Sequence, residues 1–242
     1  MARLVLQWMA VLTLLSLALP VRAQTVYGQG GLFLHPSAFV RPAGSINFGA
    51  SFFTQRTGPT GHSEWNPYSL SYGFSDRLEA GITAIRHQGT GIDAHSHVGP
   101  FVRYELLSDT PSRPAIGLVA SDLPSDLRQT TLAGVLSHRL VSTRSGSLII
   151  HTGVEWVRTS GETGNQTDAA GFVGLQLPVA RRLALVGEAG TKLKFERTGA
   201  TAVGLMWSPP GGGSVAIGWV NNGRSRSNEF FVGAGYPIGG AK

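Results

Sequence analysis

The stretch Leu148-Ile149-Ile150-His151-Thr152-Gly153-Val154-Glu155-Trp156 alternates apolar residues with small or polar ones. One side of this segment presents Leu148, Ile150, Val154 and Trp156, and the other presents His151, Gly153 and Glu155. A repeat of two residues is the geometry of a pleated strand, because successive side chains point to opposite faces. The pattern recurs about a dozen times between Gly-, Pro- and Ser-rich turns, so the chain is predicted to be all-β.

The first residues have the features of an export signal. Arg3 precedes an apolar run from about Leu4 to Leu19, which Pro20 ends, and Val21-Arg22-Ala23 supplies a small-residue cleavage site. The run is shorter than the roughly 20 apolar residues that a membrane-spanning helix needs. We therefore expect residues 1–23 to be a cleaved signal peptide rather than an uncleaved membrane anchor.

Composition and charge exclude several classes of function. The chain contains no Cys, which excludes a disulfide framework and any Cys-based metal or catalytic site. Loss of Arg3 and Arg22 with the signal lowers the formal charge from +6 to +4. This modest excess suits anionic lipid headgroups or acidic glycans. No stripe of Lys and Arg with interleaved aromatics is present, so nucleic acid is not an expected partner.

The alternation predicts about 12 strands, although 10 to 14 would fit it. They are placed at 45–54, 66–74, 77–87, 96–107, 114–121, 129–141, 147–158, 169–178, 183–195, 201–208, 214–221 and 229–238. Most approach the roughly 9–11 residues that a tilted strand needs to cross a bilayer. An even number of strands returns both ends of a closed barrel to one side, predicted to be the periplasm. Longer polar loops are expected on the outside, at 55–65, 88–95, 159–168 and 222–228.

The two faces of the predicted strands differ in chemistry. Large apolar residues share one face, as in Phe48, Leu70, Leu175 and Ile217, and small residues with a few charges share the other. Small and charged residues cannot form a dry core at normal packing density, but they can line a barrel lumen while the large residues face lipid. We therefore predict a transmembrane antiparallel up-and-down β-barrel over residues 45–242. The expected location is the outer membrane of a Gram-negative cell, with its lipid and lipopolysaccharide as partners.

Charged residues recur on the lumen side of the predicted strands. They are Glu79, Arg103, Glu105, Arg139, Glu155, Glu188, Lys192 and Lys194. Their mixed signs favour a structural ion network that fills the lumen and fixes the register. The alternative is a charge-lined pore that selects solutes.

Catalysis and metal binding are less well supported. Gly61-His62-Ser63-Glu64 and His95-Ser96-His97 each bring His beside Ser, but adjacency in a loop does not supply the geometry of a nucleophile and its base. His95 and His97 lack a carboxylate cluster that would complete a metal site. We expect no enzyme activity, no cofactor and no metal. A barrel-embedded lipid hydrolase, of the lipid A deacylase or phospholipase type, would instead need Ser, His and an acid or amide to converge on the outer wall.

The start of the exported chain supplies a resemblance. Gly30-Gly31-Leu32-Phe33-Leu34-His35-Pro36-Ser37-Ala38, followed by Pro42, Gly44 and the strand Ile46–Phe53, resembles the opening of YjbH-type outer-membrane proteins. The segment Ser71–Gly81 is similar to a turn found in this and other barrel families. The resemblance spans roughly the first 60 residues after the signal. It implies an outer-membrane barrel or lipoprotein linked to exopolysaccharide secretion, with polysaccharide or export machinery as partners. This chain is much shorter than the typical member and lacks the lipobox cysteine.

Two points follow for the organisation and function of the chain. The Gly- and Pro-rich segment 24–44 is predicted to be either a periplasmic latch or a plug inside the barrel, and its sequence does not decide between them. The leading function is a non-enzymatic channel or structural accessory barrel, with a link to exopolysaccharide export. The alternatives are the lipid hydrolase and a secreted soluble β-sandwich that binds a ligand, in which Phe48, Leu70, Leu175 and Ile217 would share one core.

Overall fold

A computed structural model describes residues 31–56, 61–90, 92–123, 128–143, 145–161, 164–194, 196, 198–210, 213–221, 223 and 229–238. The predicted signal peptide, 1–23, and residues 24–30 lie outside the described part of the chain. Within the described ranges, no helix is both long enough and apolar enough to cross a membrane.

Twelve antiparallel strands close into one barrel. They are β1 (Ile46–Arg56), β2 (His62–Ser75), β3 (Leu78–Gly89), β4 (Ile92–Leu107), β5 (Ala115–Leu123), β6 (Arg128–Thr143), β7 (Gly146–Gly161), β8 (Gly164–Ala180), β9 (Leu183–Gly190), β10 (Thr201–Trp207), β11 (Ser214–Asn221) and β12 (Glu229–Ile238). Each strand pairs with its neighbours in sequence, and the barrel closes between β1 and β12, where Ile46 faces Ile238. The predicted up-and-down barrel is confirmed, and both of its ends lie on the same side.

The outer face of this wall is apolar. Phe48, Leu70, Leu175 and Ile217 are 42%, 44%, 42% and 47% exposed, so they do not share a core. The soluble β-sandwich alternative is therefore wrong. Inward neighbours such as Asn47 and Ser71 are buried instead. Large apolar side chains outside and polar ones inside are what a lipid-embedded barrel requires, since lipid solvates the outer wall.

The strands extend further than their apolar pattern. β7 has 16 residues and β8 has 17, and their pairing continues to Gly161 opposite Gly164. The predicted loops 55–65, 88–95 and 159–168 are therefore mostly strand. The alternation of large apolar residues ends where lipid ends, but backbone hydrogen bonding between strands does not depend on lipid. Side-chain patterning therefore underestimates how far such strands continue.

The connection between β9 and β10 is the opposite case. The strand predicted at 183–195 ends at Gly190. The chain then turns, with the Leu193 amide donating to the Glu196 carboxylate at 3.1 Å, and Leu193 is buried. Leu193 resembles a strand residue in sequence because it is apolar. Its side chain instead helps to line a small cavity together with Leu34 and Glu196.

The interior is less polar than the sequence predicted. Two clusters of buried apolar side chains fill much of it. The first contains Leu32, Phe33, Phe53, Ala184, Val186, Ala202, Met206, Ala216, Val220 and Phe231. The second contains Ala38, Phe39, Ala115, Val119, Ala133, Val135 and Phe172. Both combine inward wall residues with residues that precede β1, so the apolar lumen side chains find their partners in the N-terminal segment.

Candidate functional site

Residues 31–43, here called the plug, enter the barrel, and only Pro42 and Ala43 at the point of entry are exposed. Residues 31–41 are buried, apart from the half-buried Leu34. The plug joins the wall at the end where β1 begins: the Ala43 amide donates to Asp76 at 3.1 Å and the Gly44 amide to the Gly73 carbonyl at 2.8 Å. From there the chain runs back through the lumen toward the opposite side of the wall.

The inner end of the plug is a tight turn. The Leu32 amide donates to the His35 carbonyl at 3.0 Å, and Gly31 bridges to Pro36. A Cβ atom at Gly31 would lie 2.4 Å from the His35 carbonyl oxygen, so a side chain at this position would prevent the turn. The turn leaves successive backbone N–H groups pointing the same way, an arrangement that binds anions.

Glu188 on β9 occupies that anion position. Its carboxylate accepts from the Phe33 amide, from the Leu34 amide at 3.1 and 3.2 Å, and from the His35 amide at 3.0 Å. Hydrogen bonds to an ionised acceptor are about twice as strong as neutral ones. Glu188 is therefore the main polar anchor of the plug turn.

His35 adds an ion pair to this anchor. Its Nδ1 atom lies 2.5 Å from the Glu155 carboxylate on β7, and its ring stacks on Phe172 with centroids 4.4 Å apart. His35 belongs to the plug and lies outside the membrane-spanning strands. Burial alone would lower its pKa, but the hydrogen bond and charge of Glu155, with the charges of Glu188 and Glu196, raise the pKa above its usual value. The structure thus favours a protonated imidazole.

The middle of the plug is held by its backbone. The Ala38 amide donates to the Ser137 hydroxyl at 2.9 Å, and the Phe39 carbonyl accepts from Arg103 at 2.7 Å. The guanidinium of Arg139 lies 4.4 Å above the Phe39 ring, within the range of a cation–π contact.

A second ion cluster holds the plug near its point of entry. The Val40 amide donates to Glu105 at 3.4 Å. Arg41 Nε donates to Glu79 at 3.1 Å, and Arg103 Nη1 lies 3.6 Å from the other oxygen of Glu79. One carboxylate of the wall therefore interacts with one guanidinium from the wall and one from the plug.

These contacts show how the predicted charge network is arranged. Six of its members contact the plug: Glu79, Arg103, Glu105, Arg139, Glu155 and Glu188. The sequence predicted that they pair across strands, whereas most of their contacts are to residues 33–41. Lys192 does not belong to the network, because it lies beyond the end of β9 and is exposed. Lys194 is also at the mouth, 3.6 Å from Asp168.

Sequence reasoning missed several inward residues. Asp109 accepts from Arg139 at 3.0 Å and lies 2.8 Å from His138, in the connection between β4 and β5. Ser137 and Glu229 are also buried, as is His151, which the alternation had already placed on the same face as Glu155. Ser137 has the strand parity of Arg139 on β6, and Glu229 has the parity opposite to the exposed Phe230 on β12, so strand parity was the signal that could have identified both. His35 and Arg41, the plug residues that pair with wall carboxylates, lie in a segment without a periodic pattern, so the sequence could not identify them.

The geometry does not favour the hydrolase alternative. Ser137 Oγ lies 2.8 Å from His151 Nδ1, but the pair is buried in the lumen under Ala38 and does not face lipid. In the other predicted cluster, Ser63 accepts from the Trp65 indole at 3.3 Å while Glu64 accepts from Gln88 at 2.8 Å, so these side chains do not converge. The side chain of His95 lies outside the described set. Among described residues, no group of three or more His, Asp or Glu could hold a metal ion.

A small cavity remains beyond the plug turn. Its volume is about 80 Å³, and its lining includes Leu34, His35, Thr131, Glu155 and Glu196. A water molecule needs roughly 10–15 Å³ of such space, so the cavity has room for a few waters. The plug separates this cavity from the end of the barrel at which β1 begins.

Comparison with known proteins adds little to this geometry. No protein-family model matches the chain, and no curated protein is significantly similar to it. Among solved structures that match, a crystal structure of a double variant of OccD1 (OprD) has a TM-score of 0.28 and 10% sequence identity. The match covers 86% of this chain and 99% of that chain. A TM-score this low does not establish a shared fold, so the barrel assignment rests on the strand pairing described above.

Proposed function

We propose that this chain is a non-enzymatic outer-membrane channel whose lumen is closed by its own N-terminal plug. The observation that carries the proposal is the match between the plug and the charged wall. Four wall carboxylates and two wall guanidiniums each contact a plug residue. A lumen built only for rigidity could satisfy these charges across strands, without a separate segment.

The connectivity of the plug supports a removable closure. The described strand registers run from Ile46 through β12 and include no plug residue. The barrel wall therefore keeps its backbone pairing when the plug leaves. Gly44 and Ser45 connect the plug to β1 where the plug enters the barrel. The contacts of Ala43 and Gly44 there are to Asp76 and Gly73, at and near the turn between β2 and β3, and not to the lumen charges.

The outer wall supports placement in a membrane of this type. Exposed apolar side chains such as Phe74, Val98 and Val154, at 60%, 61% and 60%, need lipid around them. Lipid and lipopolysaccharide are the partners that we propose. The link to exopolysaccharide export remains a prediction of the sequence resemblance.

The test compares the full chain with a variant that lacks residues 31–43 and retains everything else. Each protein is purified from the outer membrane, and a shift in gel mobility between unheated and boiled samples reports a folded barrel. Single-channel conductance in planar bilayers is then measured. We expect the folded deletion variant to conduct steadily and the full chain to be closed most of the time.

Two results would overturn the proposal. A soluble fraction that holds most of the full chain would contradict the membrane location. A folded deletion variant that conducts no better than the full chain would make this a structural accessory barrel. If the deletion prevents folding, Gly174→Leu replaces it. A Cβ at Gly174 would lie 2.0 Å from Leu32 Cδ1, and its three nearest atoms all belong to side chains, so the change acts on the plug and not on the backbone of the wall.

A further inference from the structure

We propose that the open lumen selects cations, and that the plug is the cationic ligand that occupies it at rest. This inference rests on the proposed channel function and names the class of solute that passes. It follows from the charges that remain on the wall when the plug has left.

The plug is a basic peptide. Residues 31–43 contain His35 and Arg41 and no Asp or Glu. Both basic side chains are buried against wall carboxylates, His35 on Glu155 and Arg41 on Glu79. The wall therefore binds positive charge in the one state that the structure shows.

The described wall carries more carboxylates than it can pair by itself. Arg103 lies 3.6 Å from Glu79, and Arg139 donates to Asp109 at 3.0 Å, so these two guanidiniums have partners within the barrel. The carboxylates of Glu105, Glu155 and Glu188 instead contact plug residues. Withdrawal of the plug leaves three carboxylates without a guanidinium partner among the described contacts.

These carboxylates are distributed around the lumen. Glu105 lies on β4, Glu155 on β7 and Glu188 on β9, along the path that the plug itself follows. Arg103 and Arg139 offset Glu79 and Asp109, so the three carboxylates leave the vacated lumen with a net negative charge. A net charge of one sign along a narrow water-filled passage with low-dielectric walls concentrates counter-ions by about tenfold or more. An ion that crosses the lumen must pass this negative surface. The electrostatic potential of the carboxylates therefore affects passage through the lumen as well as entry at its mouth.

The wall is also shaped to leave a passage. Glycines line the plug where it approaches closely: a Cβ would meet Leu32 at 2.0 Å from Gly174 and Ala38 at 2.8 Å from Gly117. These positions have no side chain that could fill the vacated space. The track of the plug is therefore a groove with carboxylates beside it.

The experiment measures the ratio of K⁺ to Cl⁻ permeability from reversal potentials in a KCl gradient. The first protein is the deletion variant, which lacks residues 31–43. The second is the triple variant, which carries the same deletion together with Glu105→Gln, Glu155→Gln and Glu188→Gln. A matched control adds Glu64→Gln, the same chemical change at a residue that bonds Gln88 away from the plug. We expect a K⁺ preference of about tenfold in the deletion variant and in its Glu64→Gln control, and a ratio near one in the triple variant.

The outcomes separate this inference from the proposed function. A folded deletion variant that does not conduct overturns the channel itself. A conducting variant that prefers Cl⁻ or has no preference overturns cation selection and leaves the channel intact. A K⁺ preference that survives the triple substitution also overturns the inference, because the named carboxylates would then not produce it.

Discussion

Glu188→Gln should loosen the plug more than any other single isosteric change. The Glu188 carboxylate accepts from the backbone amides of Phe33, Leu34 and His35, and it is 6% exposed. Glutamine keeps the shape and one acceptor oxygen, but its NH₂ group would face an amide donor. One buried N–H then loses its partner, at a cost of about 1–3 kcal/mol, and the remaining bonds lose charge assistance worth about 1 kcal/mol.

Together these effects weaken plug docking by roughly 2–4 kcal/mol, which raises the undocked population by about 30- to 1000-fold. The chain has no Cys, so a single Ser37→Cys substitution places one thiol in the plug. Ser37 is 5% exposed and reacts with a maleimide only when the plug opens. When closing is faster than labelling, the labelling rate follows the undocked population.

The assay compares labelling rates of Ser37→Cys alone, with Glu188→Gln, and with Glu64→Gln as the matched control, all as folded barrels. We expect a large acceleration for Glu188→Gln and none for Glu64→Gln. Equal rates in all three proteins would refute the assignment of Glu188 as the main anchor. Equal acceleration by both Gln variants would show that general loosening of the barrel, and not the plug turn, controls access.

Three further predictions use the same labelling or a stability measurement. Gly174→Leu should accelerate Ser37→Cys labelling, because the new side chain enters the space of Leu32. Gly187→Leu should not accelerate labelling, because no atom lies within 4 Å of a Cβ at that position. Loss of the Gly174→Leu effect in a Leu32→Ala background would support the contact, and persistence of the effect would contradict it. Plug docking should weaken as pH rises above about 6.5, the ordinary pKa of His, because the carboxylates of Glu155, Glu188 and Glu196 outweigh burial and hold the pKa of His35 above that value. The protonated imidazole stabilises docking fully below the ordinary pKa, and this stability is lost as pH passes the raised pKa. The readout is the rate of Ser37→Cys labelling divided by that of the exposed Ser112→Cys, and an unchanged pH dependence in His35→Gln would refute the prediction. Val154 lies near the middle of β7 and is 60% exposed, so Val154→Arg should lower the free energy of unfolding in lipid vesicles by about 2–4 kcal/mol, measured by urea unfolding. Thr201→Arg, at the end of β10, should lower it little. Equal effects of the two substitutions would contradict a lipid-facing wall at Val154.

The plug gives the lumen charges a different role from the one expected of an ion network. Arg103 illustrates this, because it contacts both Glu79 on the neighbouring strand and the Phe39 carbonyl of the plug. A buried carboxylate that loses its partner is costly, so the wall favours the occupied state. The same carboxylates make the vacated lumen attractive to cations, and closure and selection therefore depend on one set of residues.

The sequence by itself determined that the chain is all-β, which face of each strand carries the large residues, and a strand number close to the twelve observed. The two-residue alternation in Leu148–Trp156 and its repeats depends on local backbone geometry, and the placement of large residues outside follows from the solvent on each side. Inward charges such as Glu79, Glu155 and Glu188 could be identified from strand parity alone, because parity is a local property.

The tertiary structure alone decided what those charges contact. Residues 31–43 have no periodic pattern, and the contacts between His35 and Glu155 span 120 positions in the chain. Such contacts depend on closure of the barrel, which brings β3, β4, β7 and β9 around one segment. The exclusion of Lys192 from the lumen has a similar cause, because the end of β9 is set by the register with β10 and not by the alternation that continues past Gly190.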